Sequence, residues 1–247
     1  MIRFSRNTTI VLSLLLAAAP VVAASEYSVI EVSEGGTVSG LVRLAGEQPV
    51  SEVLAVNKDQ SVCGESHQNE DFVIDPKSKG LMNVFVSLEG IAAGKDFAAN
   101  SELTISQQGC VYAPHVQVYR PNSKLTIRNE DKLLHSIHGY SGDESLFNLI
   151  QPAYIKQWPG TKIETEGIVN LKCDVHEWMN AYLIPVVHPY FALTDSLGAF
   201  EINQVPPGSY ALATWHEALG AARKPVVISA NDTTVVGFDL SIPAQPE

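Results

Sequence analysis

Lys172-Cys173-Asp174-Val175-His176-Glu177-Trp178-Met179 sets a thiolate, an imidazole and a thioether on one short loop. The runs on either side, residues 168–172 and 180–187, read as β-strands, so the loop sits at one end of a sheet. Soft sulfur with imidazole suits copper, and two histidines, one cysteine and a weak axial methionine are its electron-transfer set. The loop lacks the second histidine. His135, in Asn129-Glu130-Asp131-Lys132-Leu133-Leu134-His135-Ser136, follows another strand-like run and completes the set. The reading is one copper ion held by His135, Cys173, His176 and Met179.

Other chemistries fit these residues less well. Cys173 with His176 has the composition of a nucleophile–base pair, but Met179 and His135 then become coincidences. Zinc asks for a fourth nitrogen, oxygen or thiolate donor, and a thioether is a poor one. His138 falls on the opposite strand face from His135 by alternation and is not read as a ligand. His115, after Pro114, is read as a structural or surface histidine, and His67 lies in a polar loop without a signal.

Moving outward, the cysteine count constrains the compartment and the cross-links. The chain has three cysteines, and in an oxidising compartment two of three usually pair. With Cys173 in the ligand loop, Cys63 and Cys110 are the expected disulfide. A pair that used Cys173 would remove the thiolate. Export itself is read from the first residues. Arg3 and Arg6 precede an apolar run over residues 10–22, and Val22-Ala23-Ala24 before Ser25 fits a cleavage site, so residues 1–24 read as a signal peptide. No later run is long and apolar enough for a spanning helix, so the expected product is periplasmic or secreted and not membrane-spanning. The net charge of −11 repels nucleic acid and favours cations or basic partners.

Alternation and turn residues predict strands throughout. Candidates lie at residues 28–32, 37–44, 82–88, 103–105, 110–112, 115–119 and 124–129, with a possible strand at 71–74. Residues 91–100 read as a short helix or a loop. Residues 141–160 read as loop, with Gly142, Pro152, Pro159 and Gly160, and a strand is expected at 161–166. The tail continues with strands at 190–194, 199–202, 210–215, 224–229 and 233–240. The pattern predicts an all-β fold of sandwich type.

Residues 101–187 resemble a cupredoxin, through Asn129-x5-His135 and Cys173-x2-His176-x2-Met179, with a loop most similar to that of amicyanin. The resemblance implies a Greek-key sandwich, copper and one-electron transfer. The flanks resemble the carboxypeptidase regulatory-like (transthyretin-like) module. Its tail is Leu193-Thr194-Asp195-x2-Gly198-x-Phe200 and Val205-Pro206-Pro207-Gly208-x-Tyr210-x-Leu212, with opening strands near Gly36 to Val42 and Asn83 to Leu88. The expected organisation places the copper domain, 101–187, inside a discontinuous sandwich of residues 25–100 and 188–247. Two consecutive domains split near His188 are the alternative. Similar combinations occur among exported proteins grouped with methylamine utilisation.

The cupredoxin resemblance implies an electron carrier, not an enzyme, working with a periplasmic cytochrome or dehydrogenase. Copper delivery or sensing is the alternative, as is a metal-free binding or structural module. By the same analogy His176 should reach the surface and pass the electron, with Trp178 and Tyr182 as an apolar rim. Asn129 is expected behind the ligands or at the docking surface. Ser136 stands where cupredoxins usually carry Asn against the thiolate, which should alter rigidity and potential. His188, His216 and Glu217 read as a hydrogen-bonding patch between domains, with a second metal or ligand site as the alternative.

Overall fold

Short strands joined by turns make up nearly all of the described chain, residues 27–49, 52–98 and 103–243 of this computed structural model. Among those residues the helical content is one α-helical turn, α1 (Gln60–Cys63), and a 3₁₀ turn at Glu70–Phe72. The fold is all-β, as its alternation predicts. The segment read as a signal peptide lies outside the described residues.

Two β-sandwiches carry the two cores. In the one built from the flanks, β17 (Ala199–Val205) pairs antiparallel with β2 (Gly36–Leu44), which also takes β20 (Thr233–Val235) and β21 (Phe238–Leu240) in parallel. The facing sheet runs β16 (Phe191–Leu193), β5 (Phe85–Glu89), β18 (Gly208–His216), β19 (Gly220–Ile228). Val38, Val42 and Leu44 from β2 meet Val86, Leu88, Leu212 and Val226 between the sheets. The turn before β17 is tied by Asp195, whose carboxylate accepts the N–H groups of Leu197 and Ala199. Its last residue, Gly198, has φ +79°, and a Cβ there would meet the Val42 carbonyl at 2.4 Å. Only glycine fits both demands.

The second sandwich carries the ligand loop. One sheet runs β13 (Gln157–Lys162), β10 (Lys124–Asn129), β7 (Leu103–Gln108), β8 (Val111–Ala113). The other runs β12 (Glu144–Gln151), β11 (His135–Ser141), β14 (Val169–Lys172), β15 (Asn180–Pro185), β9 (Val116–Tyr119). Strands β10 and β7 are in parallel register, Leu125 beside Leu103, Ile127 beside Ile105 and Asn129 beside Gln107. The inward row is therefore apolar for two layers and then polar, at the end where the first ligand loop begins. The core on the opposing sheet is Ile137, Val169, Leu171 and Leu183.

Three expectations fail here. The stretch read as loop over 141–160 holds β12 and most of β13, both at sheet edges and with mostly exposed or half-buried side chains. An edge strand buries no continuous face, so its alternation is weak. The strand expected at 161–166 ends at Lys162, and Pro159 sits where the β10–β13 register shifts. An edge bulge is where a strand tolerates proline. Residues 71–74 form no strand beyond an isolated bridge from Ile74 to Leu81, and between 91 and 98 there is only β6 (Ala93–Gly94), paired with β1 (Ser28–Val29).

The segment after β2 folds over the loop end of the second sandwich. It comprises β3 (Val53–Ala55), α1 and β4 (Ser66–Gln68), with β3 and β4 paired to each other. Val56 and Cys63 belong to the second core, and the Cys63–Cys110 disulfide is present.

Candidate metal centre

His135 opens β11, and the loop before it is held from within. The buried Asn129 side chain donates to the Leu133 carbonyl at 2.9 Å and accepts the Asp131 N–H at 3.0 Å. Asp131 in turn accepts the N–H groups of Gly109 and Cys110 at 2.7 and 2.9 Å and lies 2.9 Å from His135 Nε2. One carboxylate thus ties the β7–β8 turn to the imidazole. On the other side, Met179 N–H donates to the His176 carbonyl and Cys173 N–H to the Met179 carbonyl, folding the 173–179 loop on itself.

The two imidazoles point the same nitrogen inward. His135 Nδ1 and His176 Nδ1 are 3.0 Å apart, and Cys173 Sγ is 3.8 Å from His176 Nδ1. Ligand atoms of all three residues lie within 4.8 Å of one another, and all three side chains are buried. Metal–nitrogen and metal–sulfur bonds of about 2.0 and 2.3 Å put trigonal ligand atoms roughly 3.5 Å apart, so the donor set fits a first-row ion. Met179 is buried in the same core as Cys173.

The outer nitrogens explain why the inner ones are free. His135 Nε2 faces Asp131 and His176 Nε2 faces Asp59 Oδ2 at 3.1 Å. A carboxylate on Nε2 favours the proton there and so frees Nδ1 to ligate, the arrangement found behind metal-ligating histidines. Two bare lone pairs at 3.0 Å in a dry site repel unless a positive centre, a proton or a metal, lies between them. Burial pushes the His135 pKa down, but Cys173 and Asp131 more than reverse that, and the net shift is upward.

Cys173 is the free cysteine. Burial raises its pKa, but the His135 hydrogen bond and backbone N–H groups of Ser136, Val175 and His176 bring it down to about 6. The thiolate is the form a metal needs. Ser136 takes part twice: its N–H is 3.5 Å from Cys173 Sγ, and its hydroxyl accepts the Asp174 N–H at 2.8 Å. The serine therefore does brace the thiolate loop, through its backbone and its hydroxyl together. His138 lies apart, 3.1 Å from Asp174 and 2.8 Å from Ser145.

His176 does not reach the surface. It is 0% exposed, because the segment between β2 and β5 brings Asp59 against its outer nitrogen and the disulfide holds that segment down. Trp178 lies 5.2 Å from the His176 ring and stacks with His67 at 5.9 Å, while its indole N–H donates to the Cys110 carbonyl. Tyr182 packs instead against His115 and Trp215, so the expected Trp178–Tyr182 rim does not form. Asp59 and His67 escaped sequence reasoning because nothing local marks a partner 117 residues away. Asp131 was findable, as a carboxylate inside the first ligand loop.

The set of His188, His216 and Glu217 separates. His188 sits with Tyr27 and Tyr190. Glu217 lies 2.7 Å from His115, with His216 at 3.8 Å. His115 is thus buried against a carboxylate.

Comparison with known proteins gives partial likenesses. Residues 162–236 match the family model described as polysaccharide lyase family 4, domain II, which spans less than half of the chain. No curated protein matches the chain. Among solved structures, the reduced Cu(I) form of an amicyanin variant is 14% identical over 36% of this chain and 86% of its own, with a TM-score of 0.31. A purple cupredoxin from Nitrosopumilus maritimus is 18% identical over 34% and 98%, with a TM-score of 0.30. A copper-containing nitrite reductase from Thermus scotoductus is 16% identical over 39% and 25%, with a TM-score of 0.27. The ligand geometry, not these likenesses, carries the reading of the site.

Proposed function

We propose that His135, Cys173, His176 and Met179 hold one copper ion, and that the protein carries single electrons between exported redox partners. The observation that carries this reading is the pair of carboxylate-backed imidazoles turning their Nδ1 atoms toward each other, 3.0 Å apart, beside a buried thiol of lowered pKa. Bound copper would supply a one-electron couple. The chain's own part is to fix the donors: Asp131 and Asp59 set the imidazole tautomers, Ser136 steadies the sulfur, and the covering segment excludes water. Donors held this firmly change little between oxidation states, which favours a carrier over a site that must release its ion.

Residues 1–24, read as a leader, would carry the work outside the cytoplasm, and a cytochrome or dehydrogenase is the partner class this reading implies. The aromatic path from His176 through Trp178 to His67 is the proposed way out for the electron. Insertion of the copper-binding sandwich between the two parts of the other belongs to the same reading.

Titration of the purified chain with Cu(II), followed by visible spectroscopy, tests it. One equivalent should produce an intense thiolate-to-copper band and a reversible potential. Cys173→Ser should lose the band yet fold, since Cys63 and Cys110 keep the cross-link. Colourless uptake of variable stoichiometry would replace the carrier with a delivery role, and no uptake would end the copper reading.

A further inference from the structure

A second cluster of metal-ligand side chains lies where the two sandwiches and the covering segment meet. His115 comes from just before β9, Glu217 from just after β18, and Asp71 from the 3₁₀ turn at Glu70–Phe72. One ligand atom from each of the three lies within 4.8 Å of the others. Glu70 adds a carboxylate oxygen 3.8 Å from His115 Nδ1.

Two observations set this cluster apart from an ordinary ion-paired seam. The His115 and Glu217 side chains are each only 2% exposed, yet His115 Nδ1 and Glu217 Oε2 have no hydrogen-bond partner. Buried polar atoms in folded proteins are nearly always satisfied, and an orphaned pair marks a missing counterpart. The charge also lacks an answer. Three carboxylates converge here, and among the described residues the ion pairs of Glu217 are with His115 and His216, neither of them a lysine or arginine. The pocket is one that disfavours further negative charge and has donor atoms to spare.

We propose that Asp71, His115 and Glu217, with Glu70 beside them, form a second metal site for a divalent cation of borderline hardness such as zinc. One imidazole with several carboxylates and no sulfur is a donor set for zinc or manganese, not for cuprous ion. The ion would pin three sequence-distant elements together: the strand edge beside the copper-binding loop sheet, the end of the long hairpin strand β18, and the segment that covers His176. The site is independent of the copper reading, and its test is arranged to stay so.

The test is zinc titration of the full chain carrying Cys173→Ser, which disables the thiolate site, using a competing chromophoric chelator and thermal melts. One equivalent of Zn(II) should bind and raise the Tm. Asp71→Asn, at a half-buried position that tolerates an isosteric change, should lower the affinity about tenfold or more and abolish the Tm rise while leaving the metal-free melt unchanged. Glu217→Gln should do the same, with circular dichroism to confirm that it folds. No zinc uptake, or uptake and a Tm rise that survive Asp71→Asn in a folded variant, would overturn the proposal and leave these atoms to a bridging water.

Discussion

The two sandwiches are built alike and end differently. In the flank sandwich the inward rows of β2 and β5 stay apolar, Val38, Val42 and Leu44 facing Val86 and Leu88, while that of β18 passes from Leu212 to the buried Thr214 and His216 beside the second cluster. In the other, the rows Leu125–Ile127–Asn129 and Leu103–Ile105–Gln107 turn polar in their last layer, just where His135 begins the next strand. A sandwich core supplies rigidity, and chemistry enters where the alternation is kept but the residue type changes. The loop end of the second sandwich is also the end that another segment covers and a disulfide secures.

The largest expected effect breaks this contrast. Replacing Cys63 and Cys110 together by Ala opens a loop of 47 residues and should cost about 4 kcal/mol. Denaturant unfolding should then show the sandwich that holds Cys173 melting ahead of its neighbour, where a single coincident transition would show the two to be coupled. Leu212→Ala, in the apolar sandwich and fully buried, should cost about 3 kcal/mol while the copper titre stays the same. A lost titre would mean that the two cores are not separable. Asn129→Ala leaves the Leu133 carbonyl and Asp131 N–H without their partner. It should cost about 2 kcal/mol and weaken copper binding about tenfold, read by chelator competition.

The smallest effect is in pH. The Cys173 thiol sits near 6 in the folded chain against an ordinary 9.0, so protons compete with copper as pH falls through about 6. His135, shifted upward, adds to the competition from the same side. Copper affinity should therefore fall about tenfold or more from pH 6 to pH 5 (about 1.4 kcal/mol), and a flat profile would remove Cys173 from the ligand set.

How much of this was legible depends on whether the cause was local. Strand β10 was readable to the residue, because its two faces meet different environments and the alternation is strict. The Cys63–Cys110 bridge was readable from an odd cysteine count once Cys173 was assigned elsewhere. Cys173 and His176 share a loop, and the convergence of His135 on them follows from types and spacing. Strand β12 was hidden because an edge strand buries no continuous face. The covering of His176 was hidden for another reason: Asp59 acts from an irregular stretch with no period of its own, and only the folded chain brings it to the ring. His115 was read as a structural or surface histidine, and it is buried; its partner Glu217 was not legible because it arrives from the far sandwich.

Asp131 has a wider consequence. Its two oxygens take the N–H groups at the base of Cys110 while the same group fixes the outer nitrogen of His135. The backbone beside the cystine and the ring of His135 therefore hang from one carboxylate. A change at Asp131 would loosen both anchors at once.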